Sequence, residues 1–217
     1  MQPAIEQSLR RVDTPENRLI LWIVLGVMLA GLLLFVVRVL RRRRMARRLH
    51  QSIVSASVEY LENVLVPDGM GAFLHADYLL LTSRGVVVVD LRDIRGNIFG
   101  GDQMTQWTVM NGAVRTTFQN PQHALYDRVA AVRSLAGDLP VEGRVLFTRR
   151  AKFPKGLPRW TLMVDSLRAE FPRVEADAGR VLGEHFSENW RALCAAVGPS
   201  SLRKRRNFFA QVFIEGY

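Results

Sequence analysis

From Leu19 to Val37 the chain reads LILWIVLGVMLAGLLLFVV, 19 residues with no charge and no strongly polar side chain. At about 1.5 Å of rise per residue, a helix of that length covers the roughly 30 Å hydrocarbon core of a bilayer. This predicts one transmembrane helix over residues 19–40. A buried core helix is shorter and carries polar positions. A signal peptide has a shorter apolar region, a basic leader and small residues at a cleavage site. Here the run is followed directly by Arg38 and then Arg41 to Arg44, so no cleavage is expected. Gly26 and Gly31 are not at the four-residue spacing that lets two helices pack closely, so the segment carries no dimerisation signal.

Flanking charge sets the orientation. Residues 1–18 hold Arg10, Arg11 and Arg18, whereas Arg38, Arg41 to Arg44, Arg47 and Arg48 follow the apolar run. Positive charge stays on the cytoplasmic side. The expectation is a single-pass protein of the bacterial inner membrane, with its N-terminus outside and its C-terminal domain in the cytoplasm. The stretch Arg41–Arg48 would lie against anionic lipid headgroups. The same count disposes of a tempting inference. A formal net charge of +10 suggests nucleic-acid binding by the whole chain. Removing those seven arginines and Arg203, Lys204, Arg205 and Arg206 from the 30 basic residues leaves 19 against 20 acidic ones. The body of the protein is nearly neutral. Its single cysteine, Cys194, excludes a disulfide framework and a cysteine-rich zinc module.

Beyond the arginines, Leu49, Ile53, Val54, Ala56, Val58, Leu61 and Leu65 recur at helical spacing, which predicts an amphipathic helix ending near Pro67 and Gly69. Asp77–Leu81 and Gly85–Leu91 read as strands joined by a hairpin at Thr82–Gly85. The unbroken Val86–Val89 implies a strand covered on both faces. Residues Asn97–Gly101, Trp107–Met110 and Ala113–Phe118 read as further strands, the last two joined at Asn111-Gly112. Asn120-Pro121 opens a helix with an Asn cap and Pro at the first position, and Leu125, Val129, Val132 and Leu135 form its apolar stripe. Strands at Gly143–Thr148 and Thr161–Val164 follow, then a last helix over about residues 176–197. The order of helix, strands, helix and strand gives an α/β (α+β) sandwich with a mixed sheet. The implied segments are a tail (1–18), the transmembrane helix (19–40), a basic juxtamembrane stretch (41–57), the main domain (58–166), and a C-terminal helix with a basic, aromatic tail (167–217).

The stretches HADYLLLTSRGVVVVDLRDIRGNIFGG, QW, FQNPQHALYDRVAAVRSL and VEGRVLFTRRAKFPKG together resemble the nuclease-related (NERD) domain, regarded as a branch of the PD-(D/E)XK nuclease superfamily. The resemblance implies a restriction-endonuclease-like αβββαβ sandwich around a central mixed sheet. It also implies a site in which one aspartate is followed, on the next strand, by acid-x-Lys. Asp77 matches the first acid and Asp90 the second, while Arg92 stands where lysine is expected. An upstream helical glutamate sometimes joins such a site, and Glu59 or Glu62 would be that residue, with Glu62 assigned here. The set Gly96, Phe99, Gly100 and Trp107, and the run Phe118 to Pro121, also match. A Gln-Asn pair often follows the Asn-Pro, and Ala124 and Leu125 stand in its place.

Alternation along a strand sends Asp90 and Arg92 to one face, and Asp77 on a hairpin partner can approach them. Two converging carboxylates suit Mg²⁺, a hard cation that keeps several waters, and a neighbouring cation would stabilise charge on phosphate oxygens. Arg92 can supply that charge and cannot supply a neutral amine. The competing reading makes Asp90, Arg92, Asp93 and Arg95 an ion-pair group at a strand end. Weaker nucleic-acid contacts are Arg95, Gln119, Asn120 and Arg203 to Arg206, the last four lying beside Phe208, Phe209 and Phe213. Trp107, Phe99 and Phe118 read as core before they read as base-stacking groups, and Cys194 as a buried small hydrophobe. His50, His75, His123 and His185 have no zinc-ligand spacing.

Two functional readings follow. In the first, a membrane-anchored nuclease-related domain cleaves DNA or RNA with Mg²⁺ held by Asp77 and Asp90. In the second, the same fold has lost the chemistry and serves as a membrane-tethered nucleic-acid or protein interaction module.

Overall fold

A computed structural model describes residues 15–172 and 188–199. It divides into two units, Met1–Leu49 and His50–Tyr217. Helix α1, Pro15–Val54, runs across the division. From Leu19 it is long and apolar enough to cross a membrane. Its large apolar side chains, from Leu19 to Phe35, are exposed. The arginines of the 41–48 stretch continue on the same helix rather than starting a separate segment.

The second unit is a mixed α+β fold. Strands β1 (Glu59–Pro67), β2 (Phe73–Thr82) and β3 (Gly85–Arg92) are antiparallel neighbours. The chain then forms β4 (Gly96–Phe99), β5 (Gln106–Asn111) and β6 (Val114–Gln119) before helix α2 (Pro121–Leu135). After α2 come β7 (Val141–Phe147), β8 (Ala151–Lys152), β9 (Thr161–Met163), a 3₁₀ turn and the short α3 (Leu167–Glu170). A helical stretch at 188–196 and β10 (Gly198–Pro199) complete the described residues. One sheet has the order β10-β1-β2-β3-β7-β9, the other β6-β5-β4-β8. The expected central mixed sheet is the six-stranded one, and β4, β5 and β6 leave it to pair among themselves and with β8 in a second sheet.

The region expected to be one helix as far as Pro67 is a helix only to Val54. Ser55 and Ser57 turn back onto carbonyls of the last turn through their hydroxyls, and β1 begins at Glu59. The sequence YLENVLV satisfies both a helical spacing and a strand alternation. The open edge of β2 decides between them by pairing with β1 from Glu59↔Leu81 to Pro67↔Phe73. The hairpin between β5 and β6 is also displaced by one residue. Asn111 still pairs with Val114, so Gly112 and Ala113 form the turn, and of these Gly112 takes the positive φ.

Parallel strands β3 and β7 are linked by the crossover through α2, with Val86↔Val141 and Arg92↔Phe147 in register. Val86 and Val88 on β3, and Leu79 and Leu81 on β2, face Leu125 and Val132 of α2 in the main core, together with Val145 and Phe147. The alternate residues Leu80, Val87, Val89 and Leu146 are buried as well, so β3 is covered on both sides. Burial of each such aliphatic side chain stabilises by roughly 1.5–3 kcal/mol. Trp107 is fully buried and sits against Gly100, where a Cβ would lie 2.3 Å from the indole. Its ring meets Phe118, Phe147 and Phe153, so the matching glycine and aromatic positions build the core.

Candidate functional site

The β2–β3 ladder closes at Tyr78↔Val89. One step further, Asp77 stands across from Asp90, on the face shared by Leu79 and Val88 and covered by α2. Both carboxylates are buried, Asp90 to 3% exposure. Asp77 uses its side chain where the ladder stops: Oδ2 accepts the Leu91 N–H at 2.8 Å. Opposite it on β1, Asn63 adopts φ +56°, and its Oδ1 accepts from His75 Nε2 at 2.6 Å. The other imidazole nitrogen, Nδ1, lies 3.9 Å from Asp77 Oδ1.

Asp90 is held by two guanidinium groups on the same oxygen. Arg92 Nη2 donates to Oδ2 at 2.7 Å and Arg128 Nη1 donates to it at 3.0 Å. Arg128 also donates from Nε to the His75 carbonyl at 2.6 Å, so this one side chain fastens α2 to the ends of both β2 and β3. Arg92 Nε is buried and has no hydrogen-bond partner. Sequence reading missed Arg128 and His75. The signal for Arg128 was a basic residue bordering the apolar stripe of α2, three residues beyond Leu125.

These residues do not fit the Mg²⁺ centre that the resemblance implies. Among the described residues no three His, Cys, Asp or Glu side chains stand together as a ligand set. Asp77, Asp90, Arg92 and Arg128 sum to zero charge, so no excess negative charge draws a cation. At an effective dielectric near 20, a divalent ion about 4 Å from either guanidinium meets roughly 8 kcal/mol of repulsion, which cancels the attraction of one carboxylate at the same distance.

The remaining candidates separate. Glu62 and Glu59 are on strand β1, not on a helix. Glu62 is register-opposed to Tyr78 and so points to the sheet face away from Asp77. There it accepts the Tyr78 hydroxyl at 3.0 Å and pairs with His50 at 3.3 Å. Glu59 accepts Trp190 Nε1 at 2.6 Å. Asp93 accepts from Thr148 Oγ1 at 2.6 Å and from Arg150 Nη1 at 3.1 Å, partners other than the Arg92 and Arg95 of the expected strand-end group. Arg95 and Gln119 are exposed.

Asn120 is 2% exposed and its side chain is fully engaged. Oδ1 caps α2 through Gln122 N at 3.0 Å, and Nδ2 donates to the Met104 carbonyl at 2.8 Å. Gln122 continues the clamp through Asp102 Oδ1 at 2.9 Å and the Arg159 carbonyl. Burial and these bonds make Asn120 a capping residue rather than a nucleic-acid contact. Arg203 to Arg206 lie outside the described residues. Cys194 is half-buried against the core. Burial pushes its thiol above the ordinary value, and the Glu59 carboxylate adds to the rise.

Residues 40–148 match the family model of the nuclease-related domain. An uncharacterized protein of Bacillus anthracis is 27% identical over 92 residues, which are 42% of this chain and 43% of that relative. The chain thus spans less than half the length of the curated relative it matches. No solved structure matches. The match covers half of the sequence and contains Asp77, Asp90, Arg92 and Arg128. The chain belongs to the nuclease-related domain family.

Proposed function

We propose that this chain is a membrane-anchored nuclease-related domain that binds nucleic acid without hydrolysing it. The observation that carries this reading is the closure of Asp90 by Arg92 and Arg128. A phosphodiesterase of this kind needs carboxylates free to take a hard cation. Here the second acid is neutralised twice over by groups that never deprotonate. Nucleic-acid affinity then rests on arginine, which pairs with phosphate in bidentate fashion. Helix α1 anchors the domain, with Arg41–Arg48 against anionic headgroups on the cytoplasmic side and the N-terminus outside.

One observation favours the hydrolytic reading: Asp77 and Asp90 occupy opposed positions on one sheet face. The test uses the full chain in nanodiscs, incubated with DNA and RNA in Mg²⁺ or EDTA. Binding that persists in EDTA, with no Mg²⁺-dependent cleavage, is expected. Cleavage that needs Mg²⁺ and is lost in Asp90→Ala would refute the binding reading. Arg92→Lys gives a second arm: continued inactivity supports the binding role, and activity gained would place the site one residue from competence.

A further inference from the structure

A groove of about 350 Å³ lies between α2 and β7, on the flank of α2 away from Arg128. Tyr126, Val129, Arg133, Gly143, Arg144 and Trp160 line it. α2 packs closely on β7 at Gly143, where a Cβ would come within 2.6 Å of Val129 Cγ2. Tyr126 is 53% exposed and meets Trp160 edge to face, with ring centroids 4.4 Å apart. The Arg159 guanidinium lies over the Trp160 ring at 4.9 Å. Trp160 has φ +56°, a conformation rare for so bulky a residue. Its neighbours hold it there, because Val145 N–H donates to the Trp160 carbonyl at 2.8 Å and Arg159 N–H donates to Asp102 at 2.9 Å.

Rings left half in water beside arginines are the groups that hold unstacked bases. A base stacks on an aromatic face whatever its identity, and guanidinium groups take the adjoining phosphates. Arg133 donates to the Val141 carbonyl at 3.1 Å and Arg159 stands over Trp160, while Glu142 and the Arg144 side chain alternate to the other sheet face, where Arg144 pairs with Glu142 and Glu170 at 2.8 and 2.6 Å. The groove keeps a net positive charge. In a duplex the base faces are covered by their neighbours, so these rings would find only sugar and phosphate. We infer that the groove is a base-stacking site for single-stranded nucleic acid. This rests on the nucleic-acid reading above and adds to it the strand state and the residues that hold it.

The test uses the full chain in phosphatidylcholine nanodiscs and a fluorescent ten-nucleotide single strand containing 5-iodouracil. Tyr126→Ala is expected to weaken single-strand binding about tenfold, and Tyr126→Phe to stay within about twofold of the wild type. Photocrosslinks are expected at Tyr126 or Trp160. Duplex of the same sequence, bound through the arginine clusters, should not respond to Tyr126→Ala. If the strand binds but Tyr126→Ala leaves its affinity unchanged, or crosslinks map elsewhere, the groove is not the site and the broader reading stands. If the wild-type protein binds no strand even at low salt, both fail.

Discussion

Replacing Arg128 by alanine tests whether the Asp90 cluster is a structural clamp. The side chain is 18% exposed and makes two charge-assisted bonds, at 3.0 Å to Asp90 and 2.6 Å to the His75 carbonyl. Hydrogen bonds to charged groups each contribute about 1.5–3 kcal/mol. Removing one partner of a buried pair costs about 3–5 kcal/mol when the survivor is left alone. Asp90 is not left alone, because Arg92 stays on the same oxygen at 2.7 Å. The expected loss is therefore about 2–4 kcal/mol. At roughly 2–4 °C per kcal/mol for a domain of this size, Tm should fall by about 4–16 °C. Thermal unfolding of the full chain in nanodiscs, followed by near-ultraviolet circular dichroism, reads the change. A double-mutant cycle with Asp90→Asn should return a coupling of about 1–2 kcal/mol. Because the carboxylate is buried, most of that coupling should survive 1 M salt. A loss below about 0.5 kcal/mol, or additivity in the cycle, would show that Arg128 does not hold Asp90.

Three further measurements bear on the rest of the fold. Gly85 has φ +112°, and a Cβ there would lie 2.2 Å from the Pro140 carbonyl oxygen. Gly85→Ala should cost about 3–5 kcal/mol, whereas Gly112→Ala, with φ +63° and open space around it, should cost about 1 kcal/mol. Equal losses in urea unfolding would refute the steric argument. Asn120→Ala removes the α2 cap and the Met104 carbonyl bond and should cost about 2 kcal/mol. Asn120→Asp should recover the cap alone, and full recovery would deny the second bond any part. For Cys194 the thiol is raised by burial and by Glu59. The folded protein should therefore react with iodoacetamide more slowly at pH 8 than the unfolded chain, and its rate should go on rising to a higher pH than the unfolded chain's. Stability linked to this group is whole below the unfolded pKa and falls as pH rises through the folded one. A native rate profile that levels off at the same pH as the unfolded chain's would contradict the shift.

What could be read from the letters depended on whether a local signal had a competitor. Asn120-Pro121 fixes the start of α2 because cap and proline act within one turn. Val86–Val89 can be little else than a covered strand. Residues 59–67 carry two periodicities at once, and only an unpaired edge of β2, supplied by distant residues, selects the strand. Asn111-Gly112 was a strong turn signal, yet a turn centred there would set Trp107 against Thr116. The observed register sets it against Phe118, rings 5.9 Å apart, and core packing outweighs the preference of one Asn. Arg128 was hidden for a related reason. An arginine on a helix reads as solvent-facing, and its partner lies 38 residues earlier, across a crossover. The acids and the basic residue at position 92 are legible in the letters, and the second arginine that changes their meaning is not. One cation beside two carboxylates would leave a negative site suited to a divalent metal. Two cations leave a neutral one, in which Arg92 Nε is buried without a partner. That lone donor costs free energy, and with one hydrogen bond to Asp90 against the two that Arg128 makes, Arg92 is the weaker-held of the two guanidinium groups.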